Sequence, residues 1–184
     1  MARTTWFLSD PHFDHANLVK GGRIANRPQF STVDEMNGHI IGRINSLVRP
    51  NDILWLLGDL TLERVDFTRL ARFVGSLNGE HHLLLGNHDY APMQTYADMG
   101  FKSVGASYQT HKILFTHVPI HPGQFYRFIG NCHGHTHDKN VMLHGAGGSD
   151  LGIRDWRYLN VSCEVRDYTP ISLDDVIANF KEAK

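Results

Sequence analysis

Short apolar runs alternate with amphipathic stretches along most of this chain of 184 residues. The runs at 4–8, 53–57 and 83–85 are typical of buried strands, which present apolar side chains to both faces of a sheet. The stretches at 32–47 and 65–77 place apolar residues three and four positions apart, which predicts amphipathic helices between those strands. Strands that alternate with helices predict an α/β fold in which helices cross between parallel strands.

The predicted helices begin with capping signals. Ser31 or Thr32 can cap the first helix, and Glu35 stands at capping-box spacing from Thr32. Ser172 can cap a last helix that runs to Phe180, because its hydroxyl can accept a backbone hydrogen bond. The expected buried stripes are Met36, Ile40, Ile44 and Leu47 in the first helix, and Phe67, Leu70, Phe73 and Val74 in the second.

The second half of the chain has a less regular pattern. Residues 92–99 predict a short helix, and residues 101–108 and 112–115 predict two strands of a hairpin-like pair. Residues 158–163 predict a last strand. The polar, glycine-rich segment 138–155 shows no periodicity, so we expect a mobile lid or a plain loop there.

Composition and charge narrow the class of protein. With 41% hydrophobic and 20% charged residues, the chain is expected to form a single globular domain over residues 1–184. Its formal net charge of -1 provides no general attraction to nucleic acid or anionic membranes, although a local basic patch remains open. No apolar run approaches the roughly 18 residues of a membrane span, and no signal-peptide pattern begins the chain. We therefore expect a cytoplasmic protein with Cys132 and Cys163 as buried free thiols.

Residues that bind metals or transfer protons follow several apolar runs. Asp59 comes directly after a buried strand and a glycine, where an unpaired carboxylate is expensive unless a metal compensates it. Asp10 and His12 stand two residues apart and can share a metal ion, although a polar turn explains them equally well. Histidine, the commonest side-chain metal ligand, occurs 13 times. The blocks of interest are Asp10-Pro11-His12, Gly58-Asp59, Gly86-Asn87-His88-Asp89, His117 and Gly134-His135-Thr136-His137.

In order and composition, these blocks resemble those of the calcineurin-like metallophosphoesterase superfamily, most closely its small single-domain members in bacteria and their phages. The resemblance spans residues 10–137 and includes every block. It implies a two-sheet β-sandwich flanked by helices, in the layer order α/β/β/α. The predicted order of strands and helices is compatible with that fold.

The resemblance also implies two divalent metal ions, bridged by Asp59. Manganese is the first expectation, but iron, zinc, cobalt, nickel and magnesium stay open because the ligand set does not choose among them. The implied ligands are Asp10, His12 and His137 for one ion and Asn87, His117 and His135 for the other.

The resemblance implies a mechanism in which Asp59 bridges the two ions and a hydroxide bound between them attacks phosphorus. His88 protonates the leaving alkoxide. One departure concerns the protein Ser/Thr phosphatase branch, whose Gly-Asp block continues with another Asp and an Arg. This chain has Leu62 and Glu63 at the corresponding positions. The partner that orients His88 therefore stays open between Asp89 and Glu63.

Other polar residues are weaker candidates. Phosphate binding is assigned as a hypothesis to Arg23, Arg27 or Arg127. His15 lies close enough in sequence to the first block to contact a substrate, and His133 is placed to support a ligand from behind. His121 is intermediate between these candidates and the histidines without an expected role in the site. Those expected on the surface or in packing are His39, His81, His82, His111 and His144.

The sequence thus predicts a metal-dependent phosphohydrolase acting on phosphomonoesters or small phosphodiesters. The alternative is a nuclease or a phosphatase that processes nucleic-acid ends, although the neutral charge does not favour it. A non-catalytic metal-binding scaffold is a third hypothesis. The presence of His88 and of a suitable residue at every implied ligand position argues against it. The expected partner is a small phosphorylated substrate, with nucleic acid open, no membrane and no prediction of oligomeric state.

Overall fold

The computed structural model describes residues 2–24, 26–62, 66–145 and 148–182. Its helices are α1 (Val33–Leu47), α2 (Phe67–Ser76), α3 (Met93–Asp98) and α4 (Leu173–Glu182), with single 3-10 turns at Ala16–Leu18, Pro122–Gln124 and Glu164–Arg166. Its strands are β1 (Thr5–Leu8), β2 (Ile53–Leu56), β3 (Glu80–Leu84), β4 (Ser103–Gly105), β5 (Ser107–Thr110), β6 (Ile113–Thr116), β7 (Gly130–His133), β8 (Met142–His144), β9 (Asp150–Arg154), β10 (Tyr158–Asn160) and β11 (Ile171–Ser172).

The first sheet has the strand order β11-β1-β2-β3-β4. Strands β1 to β4 run parallel, whereas β11 is antiparallel to β1. Helices α1, α2 and α3 lie in sequence between the successive parallel strands, so each connection is a β-α-β crossover. This arrangement confirms the predicted α/β class.

The second sheet has the strand order β10-β7-β6-β5, and β8 and β9 form a separate two-stranded ribbon. Strands β10, β7 and β6 are parallel, and β5 pairs with β6 as an antiparallel hairpin. The two larger sheets share an apolar core, in which the ring of Phe7 stacks 4.2 Å from that of Phe115. Val176 and Phe180 of α4 pack into the same core. The expected α/β/β/α layer order remains a prediction.

Helices α1 to α3 pack against the first sheet through a second apolar cluster. Met36, Ile40 and Ile44 of α1 are fully buried, together with Leu70 of α2. The predicted stripes are too wide by one residue each, because Leu47 and Phe67 are exposed, at 38% and 43%. Leu47 is the last residue of α1 and Phe67 is the first residue of α2, so both lie at helix ends.

The helix starts follow the capping signals. Thr32 Oγ1 accepts the N–H of Glu35 at 3.1 Å, and Glu35 Oε2 accepts the N–H of Ser31 at 2.7 Å. Ser172 Oγ accepts the N–H of Asp175 at 3.1 Å at the start of α4. None of the helices in the described ranges is long and apolar enough to cross a membrane.

Several predicted boundaries in the second half are wrong. The run 101–108 is two strands in different sheets, β4 and β5, because alternation of polar and apolar residues does not encode which sheet a strand joins. The segment 138–155, expected to be a lid or a loop, contains β8 and β9. Every residue of β9 is exposed, so this strand lacks the buried apolar face from which a strand is predicted. Residues 146–147 of this segment lie outside the described residues. The same is true of Val65, the first residue of the predicted helix 65–77.

The parallel strands bring the polar blocks to one edge of the molecule. The turns after β1, β2 and β3 leave the same edge of the first sheet, and those after β6 and β7 leave one edge of the second. Backbone hydrogen bonds continue past the strands, since the N–H of Asp10 donates to the carbonyl of Gly58 at 3.1 Å. The N–H of Ser9 donates to the carbonyl of Val161 at 2.9 Å and so connects the first sheet with the segment after β10.

We predict that Gly42→Ala in α1 stabilises the protein by about 1 kcal/mol, because glycine loses more backbone freedom than alanine when a helix forms. Gly42 is exposed, and an added Cβ would meet no atom within 4 Å. Thermal unfolding should show a melting temperature roughly 2–4 °C higher. Gly58→Ala is the control and should lower it, because Gly58 has φ +91°; a lower melting temperature for Gly42→Ala would contradict the packing of α1.

Candidate metal centre

The structure brings the polar blocks together as two groups of ligand atoms. In the first group, single ligand atoms of Asp10, His12 and His137 all lie within 4.8 Å of one another. In the second group, those of Asp59, His117 and His135 do the same. These residues come from turns after β1, β2, β6 and β7, so both sheets contribute.

Asp59 connects the two groups. Its Oδ2 lies 3.7 Å from His12 Nε2 and 3.3 Å from His117 Nε2. Asn87 Oδ1 lies 3.0 Å from His117 Nε2 and so joins the second group. Burial raises the pKa of the Asp59 carboxyl, but the hydrogen bonds and charges around it, chiefly those of His117, together outweigh burial, and the pKa lies below its ordinary value. Asp59 is therefore an anion that faces both groups.

Asp10 is held in place by donors from the second half of the chain. Its carboxylate is fully buried, and its Oδ2 accepts the Ser162 hydroxyl at 2.9 Å and the N–H of His135 at 3.0 Å. Burial raises the pKa of Asp10, while nearby His117 and His137 oppose that shift. The two bonds orient the carboxylate within the first group.

Asp89 supports the turn that carries Asp59. Its Oδ2 accepts the N–H of Asp59 and the N–H of Gly86, both at 2.8 Å, and its Oδ1 accepts the N–H of Leu60 at 3.1 Å. Both carboxylate oxygens are thus used by backbone donors. The Nδ1 of His88 is buried and has no hydrogen-bond partner in the described ranges, so the alternative in which Asp89 orients His88 is wrong.

The other suggested partner of His88, Glu63, lies outside the described residues. His88 itself is half-buried, and its ring centroid lies 5.7 Å from that of His12. Its backbone N–H donates to Asp59 Oδ1 at 2.9 Å. The backbone of His88 therefore helps to orient Asp59, while its imidazole lies beside the first group.

Left-handed backbone conformations are concentrated in the candidate ligands. A positive φ in a residue other than glycine costs of order 1–3 kcal/mol and persists only where the surroundings enforce it. Such residues cluster at functional sites, which agrees with the convergence seen here. The candidate ligands with positive φ are Asp10 (59°), His12 (48°), Asp59 (53°), His135 (66°) and His137 (52°).

Glycines leave the space that the carboxylates occupy. A Cβ on Gly86 would overlap the Asp59 carboxylate, and a Cβ on Gly134 would overlap that of Asp10. Gly58 has φ +91°, which disfavours any side chain there. The glycine in these blocks is thus required both by backbone shape and by the close approach of the ligands.

The pKa values of the candidate histidine ligands shift in different directions. Burial lowers the pKa of His12 well below its ordinary value, and the charge of Arg27 lowers it further. A neutral imidazole is the form that binds metals. Burial also lowers the pKa of His117, but Asp59 and Asp10 outweigh it and raise the pKa above its ordinary value. The two carboxylates thus favour the protonated form of His117.

The donor set fits divalent cations. Asp10 and Asp59 are 0% and 1% exposed, and among the salt bridges of the described residues neither has a lysine or arginine partner. Buried carboxylates need such compensation, which a cation between the two groups would supply. Carboxylate, imidazole and amide ligands suit several divalent transition metals and select none.

Glu164 is a site residue that the sequence did not reveal. Its Oε1 accepts the Nδ1–H of His137 at 3.0 Å and an N–H of Arg27 Nη2 at 2.8 Å. Burial raises the pKa of Glu164, but His137 and Arg27 outweigh it and lower the pKa to about 2. Glu164 lies 27 residues beyond His137, so no local spacing marked it.

The phosphate-binding hypothesis is wrong for Arg27. The side chain of Arg27 is 0% exposed, and its guanidinium is bonded within the protein. Arg127 lines a surface cavity with Lys112, which precedes β6, whereas His117 follows that strand. Arg127 is therefore at the wrong end of β6 for this role. Arg23 is exposed, and its role stays a prediction.

Two further histidines lie beside the centre. His15 is 6% exposed, its ring lies 5.6 Å from that of His12, and both its ring nitrogens lack a hydrogen bond to the described residues. His133 Nδ1 lies 2.8 Å from the carbonyl of Gly134, and burial lowers its pKa to about 4. The remaining histidines are exposed or in ring or backbone contacts, namely His39, His81, His82, His111, His121 and His144.

Comparison with solved structures supports the fold. The protein of unknown function AQ665 from Aquifex aeolicus aligns with a TM-score of 0.64 over 95% of this chain and 98% of that chain, at 24% identity. The Pseudomonas putida nuclease MPE aligns with a TM-score of 0.50 over 80% of this chain and 66% of that chain, at 17% identity. At these identities, the similarity is one of fold.

Sequence comparison identifies relatives. No protein-family model matches the chain. The Gene 66 protein of Mycobacterium phage L5 is 30% identical over 134 residues, which is 72% of this chain and 59% of that protein. The chain is 33% identical over 184 residues to the uncharacterized protein MJ1445 of Methanocaldococcus jannaschii, covering 99% of this chain and 94% of that protein. Because this match extends over nearly the whole of both proteins, the chain belongs to the family of MJ1445.

Proposed function

We propose that residues 1–184 form a single domain of the calcineurin-like metallophosphoesterase type that hydrolyses phosphoesters with two divalent metal ions. The observation that carries this proposal is the position of Asp59, whose Oδ2 lies near His12 of one ligand group and His117 of the other. Dinuclear hydrolases use such a shared carboxylate to hold two ions beside each other. The four-layer order of that fold is part of the proposal.

The proposed ligand sets follow the two groups. When bound, the ions supply Lewis-acid stabilisation of the phosphate and a hydroxide nucleophile at neutral pH. Manganese is our first choice, and the donor set leaves iron, zinc, cobalt, nickel and magnesium open. One ion is assigned to Asp10, His12 and His137, the other to Asn87, His117 and His135, with Asp59 between them.

His88 is the proposed general acid. It lies beside the first group, with its ring 5.7 Å from that of His12, and it is half-buried, so a bound ester can reach it. A positioned histidine that protonates the leaving oxygen contributes roughly 100-fold or more. The likeness to a nuclease in fold supports hydrolysis at phosphorus as the reaction class, with phosphomonoesters or small phosphodiesters as substrates.

Nucleotides or nucleic acid are the second candidate substrate class, as for a nuclease or an end-processing phosphatase. Tyr90 favours this candidate, because it is 63% exposed and its ring lies 6.3 Å from that of His88 in an edge-on arrangement. An aromatic group attached to the oxygen that His88 protonates would leave next to Tyr90. Aromatic side chains stack on bases of any identity.

The first test is hydrolysis of an aryl phosphomonoester and the matching diester, with Mn²⁺ added and with His88→Ala beside the native protein. We expect turnover that a chelator abolishes, and a kcat that falls roughly 100-fold or more in His88→Ala. Metal analysis should find the same Mn²⁺ content in both proteins, since His88 holds no ion in the proposal. No turnover despite bound metal would favour the non-catalytic scaffold.

Among substitutions of the candidate ligands, Asp59→Asn should reduce metal binding most, because it removes the carboxylate charge that faces both groups. We expect isothermal titration to show loss of at least one of two Mn²⁺ equivalents, together with loss of hydrolysis. Asp98→Asn on α3 is a matched control at an exposed position and should bind as the native protein does. Two equivalents bound normally by Asp59→Asn would exclude the bridging role.

Tyr90→Ala should lower kcat/KM for a substrate with a nucleoside leaving group roughly 5- to 150-fold, because stacking is worth about 1–3 kcal/mol per base. Tyr90→Phe should retain most of the activity, since the ring remains. A methyl phosphoester measured in parallel is expected to be hydrolysed equally by all three proteins. An equal loss for both substrates would count against recognition of the aromatic group by Tyr90.

A further inference from the structure

Glu164 and Arg27 form a buried ion pair behind the first ligand group. Glu164 Oε1 accepts from Arg27 Nε at 2.9 Å and from Nη2 at 2.8 Å. The same oxygen accepts the Nδ1–H of His137 at 3.0 Å. One carboxylate oxygen thus joins a candidate ligand to a fully buried guanidinium.

The guanidinium also holds the turn that carries the other two ligands of that group. Arg27 Nη2 donates to the carbonyl of Asp10 at 2.6 Å, and Nη1 donates to the carbonyl of Pro11 at 2.8 Å. Asp10 and His12 both have positive φ in this turn. Buried carbonyl groups need donors, and the planar fork of arginine reaches both at once.

We propose that Glu164 and Arg27 are positioning residues for the first metal ion. Glu164 accepts a hydrogen bond from the Nδ1–H of His137, which leaves the lone pair of Nε2 for the ion and fixes the rotation of the ring. Arg27 fixes the turn from Asp10 to His12. Together they align all three ligands of the first group from behind. This inference rests on the proposed metal binding, not on the substrate.

A purely structural role is the alternative. Breaking a buried ion pair leaves a charge without a partner and destabilises a fold wherever the pair lies. Loss of stability therefore does not separate the two roles. The affinity of the folded protein for metal does, because partners behind metal ligands typically contribute 10- to 100-fold to that affinity.

The chain offers a matched control in Asp155 and Arg157. Asp155 is 1% exposed and accepts from Arg157 Nη2 at 2.6 Å and from Nε at 2.9 Å. This pair is also a carboxylate with a guanidinium, but its side-chain hydrogen bonds within the described residues include no candidate ligand. Asp155→Asn should lower the melting temperature without changing metal affinity.

The test measures Mn²⁺ binding to native protein, Glu164→Gln and Asp155→Asn, each verified as folded by circular dichroism. In Glu164→Gln we expect the affinity for one of the two ions to fall 10- to 100-fold, while Asp155→Asn binds as the native protein does. Arg27→Lys keeps the charge but loses the fork, so a smaller fall in the same ion's affinity is expected. It serves as the second variant if Glu164→Gln does not fold.

Unchanged Mn²⁺ affinity in folded Glu164→Gln and Arg27→Lys overturns the inference, as does an equal fall in Asp155→Asn. The proposed function fails separately, if the native protein binds two ions but hydrolyses no phosphoester. A native protein that binds no divalent ion overturns both.

Discussion

The carboxylate of Asp59 faces both groups of candidate ligands, and the surrounding structure holds it there. Its backbone N–H donates to Asp89, its Oδ1 accepts the N–H of His88, and Gly86 leaves room for it. A buried carboxylate without a lysine or arginine partner is stable when a cation compensates it. The geometry of the whole centre thus depends on the position of the Asp59 side chain, which the backbones of Gly86 and His88 constrain.

The ligands converge because parallel strands end at a common edge and then turn sharply. Residues such as Asp10 and His135 adopt left-handed conformations in these turns. Each such conformation costs free energy, which the extended ladder of backbone hydrogen bonds past the strand ends offsets. The apolar core shared by the sheets, where Phe7 stacks on Phe115, fixes the distance between the two sets of turns.

The segment after β10 makes hydrogen bonds with residues of the first ligand group. Ser162 bonds to Asp10, and Glu164 bonds to both His137 and Arg27. Neither Ser162 nor Glu164 belongs to a block that the sequence singled out. The candidate ligands and these hydrogen-bonding partners are therefore far apart in the chain, and the tertiary fold brings them together.

The sequence by itself determined the α/β class, the helix starts such as that at Thr32, and the residue types of the polar blocks. These are local properties, since periodicity, capping and a ligand after an apolar run each involve a few neighbouring residues. The tertiary structure decided that the run 101–108 divides between two sheets, that an exposed strand forms at β9, and that Arg27 is buried beside Glu164. These features depend on contacts between distant segments, which no local pattern records.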